Sequence, residues 1–565
     1  MFWKNWRINL IFISLIFFGS IITLKLINLQ IINGGFWKAQ ALGQQEHISQ
    51  IKSDRGEIFF NKKEKALAIN KDIFPIYVSP EKFSEKEETF EILEEIFGLE
   101  KDLLRAKIQN NKSWGLIKRK PTREELLKFK ETKLDGVYLT KDVERYYPQE
   151  NLASHIIGFL GGENKGQYGL EGYYDKDLSG EEGITQIGKG RFGDLFLFDS
   201  KIIKPSKFGT DLILTIDYNI QFIAESLLKE TLQINKAKGG EVIVANPNTG
   251  EIIAMAVLPN FNPNEYFKEK KLGIFQNSSI QKLFEPGSVF KPFTMAFALN
   301  EKILTPQSTF EDKGFVKIGP EVIHNYNQKV WGKVTMNEVL QHSINVGVVF
   351  VQSKIPQKTF WDYFEKFGFT KLTGIDLQGE VSSENLNLKK GRDINYATAS
   401  FGQGIEMTSV QLVKAFCAIA NGGRLIKPTL VKEIIRGSEI MKVFPEVSED
   451  FIISDETVAQ LVKMLVNVVE QGTGKGAKLQ GYYIAGKTGT AQIPYTSLGI
   501  KKAGYSEKTI QSFIGFAPAF DPEFLIFIKL FEPETRESSI STTPLFKKLA
   551  KYIINYYQIP PDYEE

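Results

Sequence analysis

The first apolar run of the chain is long enough to cross a membrane. Residues 8–24 form a stretch of seventeen without a charge, preceded by Lys4 and Arg7 and followed by Lys25. A helix of this length can span the hydrocarbon core of a bilayer. The alternative is a cleaved secretory signal, and Ala39-Gln40-Ala41 has the small residues of a cleavage site, but it lies far beyond the run. We therefore predict an uncleaved transmembrane helix at residues 8–24.

Positive charge sets the predicted orientation of this helix. The short tail, residues 1–7, carries basic residues, which favour the cytoplasmic side of a membrane. The remainder of the chain, from residue 25 onward, is then extracytoplasmic, where no ATP is available.

Two regions of different pattern follow. Residues 25–205 alternate short apolar runs, such as residues 74–78, with turns rich in Gly, Asn and Lys, and contain a charged helical stretch at residues 81–100. This predicts a mixed α+β domain with a modest core. The pattern changes near Ser206, so we place a domain boundary there and predict a second domain at residues 206–565.

The second domain is predicted to be one antiparallel sheet with helices on its faces, which makes the fold class α+β. Apolar strands bracket a long helical middle, and one helix is amphipathic, begun at Ser454 and stopped at Gly472. The predicted strands are residues 211–216, 241–245, 251–255, 482–485, 512–516 and 524–531, and further helices are residues 219–233 and 544–557.

Composition narrows the function classes. Of the 565 residues 42% are hydrophobic, enough for folded cores, which argues against a disordered or fibrous protein. The 70 basic and 67 acidic residues nearly cancel, so the charge does not favour a nucleic-acid binder. The single cysteine, Cys417, cannot form an intramolecular disulfide, and four histidines provide no Cys/His cluster of zinc spacing.

Ser288 and Lys291 are the first candidates for catalysis. Pro and Gly precede them, and a helix-compatible apolar pattern occupies residues 289–299, so Ser288 falls near a helix N-terminus. Their spacing places both side chains on one face, one turn apart. A serine hydroxyl needs a base to become a nucleophile, and a lysine kept neutral by burial can be that base.

This pair is informative only together with two later motifs. Ser343-Ile344-Asn345 comes 55 residues after Ser288, and Lys487-Thr488-Gly489-Thr490 a further 144 residues on. Ser383-Glu384-Asn385 repeats the Ser-x-Asn pattern in a Glu-rich, turn-like setting less suited to a buried site. Three other pairs have the Ser-x-x-Lys spacing and are predicted to be solvated: Ser49/Lys52, Ser79/Lys82 and Ser279/Lys282.

Each motif can serve acyl transfer. Ser343 offers a hydroxyl for proton shuttling and Asn345 an amide for a substrate carbonyl. Lys487 supplies a fixed positive charge for a carboxylate, and Gly489 lets the backbone approach closely. The alternatives are a helix cap for Ser343-Ile344-Asn345 and a surface turn for Lys487-Thr488-Gly489.

An oxyanion hole is also available. The backbone amides of Ser288 and Thr490 could together stabilise the negative oxygen of a tetrahedral intermediate.

The three motifs in this order are typical of penicillin-binding proteins and class A β-lactamases. The whole chain resembles a class B, monofunctional penicillin-binding protein, and within that class the cell-division (septal) type. One departure lies at residues 60–65, where the family usually has an Asp-Arg-Asn-Gly turn. Further segments that carry the resemblance are Phe401-Gly402-Gln403-Gly404, Arg55-Gly56-Glu57-Ile58, Arg145-Tyr146-Tyr147-Pro148, His155 with Gly158, and Gly169-Leu170-Glu171-Gly172.

The resemblance implies a D,D-transpeptidase that cross-links peptidoglycan stem peptides. Ser288 would attack the penultimate D-alanine carbonyl, with Lys291 as base and Ser343 relaying the proton to the leaving nitrogen. The residues implied to bind the terminal carboxylate are Lys487, Thr488 and Thr490.

The resemblance also implies location and partners. The chain would be anchored in the bacterial plasma membrane, with an elongated pedestal at residues 25–205 beneath the transpeptidase domain. A β-lactam would trap Ser288 as a stable ester, and no metal or organic cofactor is implied. Expected protein partners are a SEDS-type glycosyltransferase and division-complex proteins.

Proteins with other functions can carry the same three motifs. An elongation-type transpeptidase differs only in flanking segments, and a D,D-carboxypeptidase or β-lactamase-like hydrolase passes the acyl group to water. A membrane sensor or silent scaffold would act through binding alone. His342 is interpreted as structural, because Lys291 already fills the role of base.

Overall fold

The computed structural model describes residues 6–29, 46–51, 53–100, 102, 105, 115–132, 134–189 and 195–564. Most of the predicted cytoplasmic tail, residues 1–5, and the tripeptide at residues 39–41 lie outside this part of the chain. Up to residue 214 the elements are α1 (Trp6–Ile27), β1 (Glu46–Ile51), β2 (Ile58–Phe59), β3 (Ala66–Ile73), β4 (Ile76–Val78), α2 (Lys86–Phe97), β5 (Gly115–Lys118), α3 (Arg123–Glu131), β6 (Val137–Leu139), β7 (Asp142–Tyr146), α4 (Ser154–Ile157), β8 (Phe159–Leu160), β9 (Gly166–Gln167), α5 (Gly169–Tyr173), α6 (Asp175–Ser179), β10 (Gly183–Lys189), β11 (Leu195–Lys204) and β12 (Asp211–Leu214).

The second half of the chain is richer in long helices. Its elements are α7 (Tyr218–Asn235), β13 (Gly239–Ala245), β14 (Ile252–Leu258), α8 (Ser278–Gln281), α9 (Lys291–Asn300), β15 (Thr309–Asp312), β16 (Phe315–Ile318), β17 (Glu321–His324), β18 (Gly332–Thr335), α10 (Met336–Gln341), α11 (Asn345–Lys354), α12 (Gln357–Lys366), α13 (Leu386–Lys389), α14 (Asp393–Ala399), α15 (Ser409–Ala420), β19 (Arg424–Ile426), β20 (Val431–Arg436), β21 (Glu439–Lys442), β22 (Val447–Phe451), α16 (Asp455–Gln471), β23 (Ala485–Pro494), β24 (Tyr505–Ala517), β25 (Phe524–Phe531), α17 (Ser538–Ser541) and α18 (Thr543–Tyr557).

The predicted apolar helix is present as α1. It covers the predicted residues 8–24, and its stretch Leu10–Ile27 is long and apolar enough to cross a membrane by length and composition. The unit that contains it, Met1–Arg55 with Ser179–Gly209, also holds a three-stranded antiparallel sheet in the order β1-β10-β11.

A second compact unit comprises Gly56–Leu178 and Thr210–Glu565. Its six-stranded sheet has the order β21-β20-β12-β2-β3-β7, and β12 runs parallel to β2 with Leu212 opposite Ile58. The predicted boundary near Ser206 falls between the two stretches that form this unit, and it stays a prediction about domain organisation.

Two motifs quoted for the resemblance meet inside this unit. Arg145 Nε donates to Glu171 Oε1 at 2.7 Å, and the two side chains are 3% and 0% exposed. The Tyr147 hydroxyl donates to the same carboxylate oxygen at 3.3 Å. A buried ion pair that kept only one partner would be strongly destabilising, so the two segments depend on each other.

The predicted antiparallel sheet, the central sheet of this unit, is confirmed as five strands in the order β14-β13-β25-β24-β23. Successive side chains of a strand point to opposite faces. Val242 and Val244 accordingly pack with α7 and α18, whereas Ile243 and Ala245 face the core around α15. The sheet is therefore covered by helices on both faces, as predicted. Cys417 on α15 is buried, and burial raises the pKa of its thiol to about 12.

Several predicted elements keep their predicted limits. The strand at residues 524–531 is β25, and α16 begins after Ser454, whose hydroxyl accepts from the Thr457 amide at 3.2 Å. Helix α16 ends at Gly472, as predicted.

The strand predicted at residues 482–485 is wrong. The strand starts only at Ala485 and runs to Pro494. The Tyr483 amide donates to Asp562 at 2.7 Å, and the Tyr482 hydroxyl donates to the Ile559 carbonyl at 2.7 Å. The backbone before Ala485 is thus held by the C-terminal segment rather than by β24.

Candidate active site

Ser288 is placed by a tight turn ahead of α9. The turn is a short 3-10 helix, Gly287–Phe290, whose first residue has φ = +61°. The Gly287 amide donates to the Gly402 carbonyl at 3.0 Å. A Cβ on Gly402, which itself has φ = +82°, would lie 2.1 Å from the Gly287 carbonyl oxygen. The Phe401-Gly402 segment therefore supports the Ser288 turn through a contact that only glycine allows.

Lys291 lies beneath this turn and is fully buried. Its Nζ donates to the Ser343 carbonyl at 2.6 Å and to Asn345 Oδ1 at 2.7 Å, and lies 3.1 Å from Ser343 Oγ. Burial, and secondarily the charge of Lys487, lowers the pKa of Lys291 well below its usual value. A neutral amine has two N–H donors and one lone pair, so the two carbonyl-type oxygens can take the donors while the lone pair accepts a proton from a hydroxyl.

Ser343 sits between two lysines. Lys487 Nζ lies 3.0 Å from Ser343 Oγ, on which Lys291 Nζ also converges. Ser343 has φ = +56°, a left-handed conformation that a non-glycine residue adopts at a cost. The backbone strain and the two amines fix the hydroxyl in position, and Asn345 then opens α11.

Lys487 belongs to β23, the edge strand of the central sheet. Its Nζ also donates to the Thr488 carbonyl at 3.0 Å. Burial lowers the pKa of Lys487 to about 7. A bound carboxylate would stabilise the protonated form of Lys487, which its predicted role requires.

Gly489 brings β23 against the Ser288 turn. A Cβ there would lie 2.5 Å from Ser512 Oγ and 2.9 Å from Val289 Cγ1. The predicted need for close backbone approach has this physical basis. Because β23 is an edge strand, alternate amides of its outer side have no partner strand and are free for a ligand; the predicted role of the Ser288 and Thr490 amides remains a prediction.

A cleft of about 340 Å³ opens over these residues. Lys291 and Lys487 are fully buried behind its wall. The predicted residues that line it directly are Ser288, Ser343, Asn345, Thr488 and Thr490. All three motifs thus meet at one opening, which combines a serine, two amines of lowered pKa and an edge strand.

The cleft contains polar residues that the motifs did not reveal. Thr473 and Thr488 share a hydrogen bond of 2.8 Å between their hydroxyls, and Thr490 Oγ1 donates to Ser538 Oγ at 3.1 Å. Ser538 lies in a stretch rich in Ser and Thr, residues 538–543, which was the available sequence signal for it. Thr473 had no such signal beyond its place after Gly472.

His342 also lines the cleft. Its ring stacks on Trp331, with ring centroids 4.3 Å apart and planes inclined by 16°. Burial, with the charge of Lys329 adding to it, lowers the pKa of His342. These contacts are those of a packed side chain in the cleft wall.

The competing motifs have other tasks. The prediction that the Ser-x-x-Lys pairs are solvated is wrong for Ser279, which is buried and whose hydroxyl donates to Glu241 Oε2 at 3.1 Å, while Lys282 is exposed. It is also wrong for Ser79, which is buried. Asn385 donates to the Glu406 carbonyl at 3.0 Å and so braces a loop. Lys52 lies outside the described residues.

Two family models match the chain. Residues 240–551 match the penicillin binding protein transpeptidase domain, and residues 50–214 match the penicillin-binding protein dimerisation domain.

Relatives and a solved structure agree with these matches. The chain is 33% identical over 488 residues to stage V sporulation protein D of Bacillus subtilis, covering 85% of this chain and 74% of the relative. It is 28% identical over 531 residues to peptidoglycan D,D-transpeptidase FtsI of Escherichia coli K12, covering 91% of this chain and 86% of the relative. The fold is similar to penicillin binding protein 2X of Streptococcus thermophilus, with a TM-score of 0.76 at 22% identity, covering 90% of this chain and 80% of that structure.

Proposed function

The chain belongs to the penicillin-binding protein transpeptidase family, and on that premise we propose that it is a class B peptidoglycan D,D-transpeptidase of the cell-division type. It cross-links stem peptides during cell wall synthesis through an acyl-enzyme on Ser288. The observation that carries the assignment of roles is the position of Ser343 Oγ, 3.1 Å from Lys291 Nζ and 3.0 Å from Lys487 Nζ, in the cleft that Ser288 lines.

Acylation begins when Ser288 Oγ attacks the carbonyl carbon of the penultimate D-alanine. The Ser288 proton passes to the neutral Lys291 amine, whose burial favours that form. The carbonyl oxygen becomes an oxyanion, which the amides of Ser288 and Thr490 stabilise. When the oxyanion collapses, the C–N bond breaks and the leaving nitrogen takes a proton through the Ser343 hydroxyl. D-alanine departs, and Ser288 carries an ester.

Transfer reverses these proton movements. The amine of a neighbouring stem peptide attacks the ester carbon and gives up a proton through Ser343 and Lys291. The ester C–O bond breaks, and Ser288 recovers its proton. One amide bond is broken and one is formed, so the reaction needs no ATP and no redox partner.

Recognition of the donor rests on its terminal carboxylate. Lys487 supplies the cation, and the hydroxyls of Thr488 and Thr490 supply hydrogen bonds from the edge strand. Asn345 Oδ1 accepts from Lys291 at 2.7 Å, and its amide nitrogen donates to the His324 carbonyl at 3.2 Å. Asn345 therefore positions Lys291, and its amide can also reach a substrate carbonyl.

The anchor completes the proposal. Helix α1 holds the protein in the bacterial plasma membrane as a single span, with the N-terminus cytoplasmic and residues 25–565 outside. Residues 25–205 act as the pedestal and residues 206–565 as the transpeptidase domain. The anchor and the pedestal engage a SEDS-type glycosyltransferase and division-complex proteins.

A fluorescent penicillin tests the enzymatic part. A β-lactam presents its strained amide in place of the donor amide, so Ser288 opens the ring and keeps the acyl group. Membranes that contain the full chain, Ser288→Ala and Ser226→Ala are labelled and followed over time. Ser226 is an exposed serine on α7 whose hydroxyl bonds the Phe222 carbonyl at 2.8 Å, so it is a matched control outside the cleft.

We expect a lasting band in the wild type and Ser226→Ala that is absent in Ser288→Ala. A label that appears and then vanishes within minutes would indicate a hydrolase instead. Equal labelling of Ser288→Ala would overturn the assignment of Ser288 as the nucleophile. No labelling of the wild type or of either variant would leave the protein only a binding role.

A further inference from the structure

A second cavity lies at one end of the central sheet, away from the Ser288 cleft. It has a volume of about 730 Å³. Strands β13, β14 and β25 contribute its apolar floor, which includes Val257, Leu258 and Phe531. The remaining lining residues belong to the segment of residues 268–282 or are His155, Lys238 and Pro259. None of these residues lines the catalytic cleft.

The rim of this cavity is strongly basic. Two of its lysines are already ion-paired, Lys238 with Glu532 at 2.8 Å and Lys268 with Glu265 at 2.6 Å. One acidic residue, Glu269, lies among the lining residues. Three lining lysines form no ion pair within the part of the chain that the structure describes: Lys270, Lys271 and Lys282.

A buried hydroxyl in the same wall has no partner. Ser278 is 4% exposed and lines the cavity, and its Oγ makes no hydrogen bond to any described residue. Leaving a buried hydroxyl unpaired destabilises the fold. The buried Ser278 hydroxyl therefore needs an acceptor that the described residues do not supply. The three exposed lysines without an ion pair to any described residue lie around the same cavity and give it an excess of positive charge.

We propose that this cavity is a binding site for a phosphate-bearing ligand. Lys270, Lys271 and Lys282 neutralise its charge, and Ser278 donates a hydrogen bond to one of its oxygens. Three unpaired ammonium groups exceed what a single carboxylate can neutralise, whereas a phosphate or diphosphate carries several charges and several acceptors. The apolar floor accommodates an uncharged part of the same ligand.

Pyrophosphate is the probe for this site. The full chain in a non-ionic detergent is titrated with sodium pyrophosphate by isothermal titration calorimetry, at low and at high ionic strength. Because an interaction with an ionised group contributes roughly 1.5–3 kcal/mol, we expect Lys270→Ala/Lys271→Ala/Lys282→Ala to bind at least about ten-fold more weakly. Higher ionic strength weakens binding to the wild type.

Two variants separate the site from general surface charge. Lys128→Ala/Lys130→Ala/Lys547→Ala removes three exposed lysines elsewhere and leaves the affinity unchanged. Ser278→Ala lowers the affinity several-fold without lowering the melting temperature, since its hydroxyl has no partner to lose. No pyrophosphate binding, or equal binding by the wild type and the Lys270→Ala/Lys271→Ala/Lys282→Ala variant, would overturn the proposal.

The source of the phosphate is read from a second titration. The full chain is placed in nanodiscs of phosphatidylcholine alone or of phosphatidylcholine with phosphatidylglycerol. At high ionic strength the anionic bilayer no longer repels pyrophosphate appreciably. A weaker apparent affinity for pyrophosphate in the second lipid under that condition identifies a lipid headgroup as the ligand, and an equal affinity identifies a free phosphate compound. Penicillin labelling of Ser288 is unchanged in the triple variants, so failure of this site and failure of the proposed function are distinguishable.

Discussion

The Tyr505 hydroxyl donates a hydrogen bond of 3.2 Å to Glu285 Oε1, three residues before Ser288. This contact joins the start of β24 to the segment that carries the nucleophile. Burial raises the pKa of Glu285 to about 7, and the nearby charge of Glu406 adds to the effect. Glu285 is therefore a neutral acid below neutral pH and loses its proton only at a cost to the fold.

The stability of the protein should depend on pH because of the Glu285 proton. Between the ordinary glutamate pKa of 4.5 and about 7, the folded state binds a proton that the unfolded state has lost, so stability falls as the pH rises through this interval. The slope for one proton is at most about 1.4 kcal/mol per pH unit. The side chain in Glu285→Gln stays neutral at every pH. We therefore expect the melting temperature of the variant, relative to that of the wild type, to rise from about pH 5 to about pH 8.

The control for Glu285→Gln is the same substitution at an exposed glutamate. Glu449→Gln changes an exposed residue and should follow the wild type at every pH. Parallel curves for Glu285→Gln and the wild type would contradict the assignment of a raised pKa to Glu285.

Local pattern was sufficient to predict β25 and α16. β25 is buried along most of its length and is bounded by turn residues, and α16 has a serine at its start and a glycine at its end, so both could be predicted with their limits. The strand predicted at residues 482–485 failed because the Tyr483 amide donates to Asp562, far along the chain, and the pairing with β24 starts only at Ala485. The parallel pairing of β12 with β2 is equally non-local, and periodicity carries no information about it.

The active site likewise has features that the sequence predicts and features that depend on contacts between distant segments. The order of the three motifs was enough to predict Ser288, Ser343 and Lys487 together. The role of Gly402 could not be derived from spacing, because it depends on a contact with Gly287 across more than a hundred residues of chain. The lowered pKa of Lys487 likewise depends on burial, which a charged residue in a motif does not reveal.

Lys291 should be indispensable as an amine that can lose its proton. Lys291→Met removes the base and Lys291→Arg replaces it with a group that stays protonated, so both should lower the rate of penicillin acylation by about 10²-fold or more. The arginine also buries a permanent charge and should lower the melting temperature further than methionine does. Stopped-flow acylation and thermal unfolding measure the two effects.

Lys551→Met serves as the control for this pair, because Lys551 is exposed on α18. Its acylation rate should equal that of the wild type. A Lys291→Arg variant that is acylated at the normal rate would exclude general-base catalysis by Lys291.

Substitutions at Ser343 should separate the role of its hydroxyl in catalysis from the effect of its backbone conformation on stability. Ser343→Ala and Ser343→Gly both remove the proton relay, so penicillin acylation should fall by a similar factor, about 10²-fold or more, in each. The φ of +56° favours glycine over alanine, so Ser343→Gly should be about 1 kcal/mol more stable than Ser343→Ala. Chemical denaturation gives this difference.

Lys302 provides a matched test of the backbone effect. It has φ = +56° as well, and it is exposed and outside the cleft. Lys302→Gly should exceed Lys302→Ala in stability by a similar amount, with normal acylation in both. If Ser343→Ala and Ser343→Gly were equally stable while the Lys302 pair differed, the strain assigned to Ser343 would be absent.

Gly489 should be essential because of the space it leaves. In Gly489→Ala the new methyl group would meet Ser512 Oγ at 2.5 Å and Val289 Cγ1 at 2.9 Å, so β23 has to move away from the Ser288 turn. A misplacement of about 1 Å can cost about 10²-fold in rate, and we expect a loss of that order in penicillin acylation. Gly162→Ala, where a Cβ has no neighbour within 4 Å, should be acylated like the wild type. Because the displaced strand carries Lys487 and Thr490 together, the acylation loss in Gly489→Ala should be accompanied by weaker binding of the β-lactam before acylation, which a saturation series resolves. A variant with normal acylation would show that β23 and the turn can separate without harm to the site.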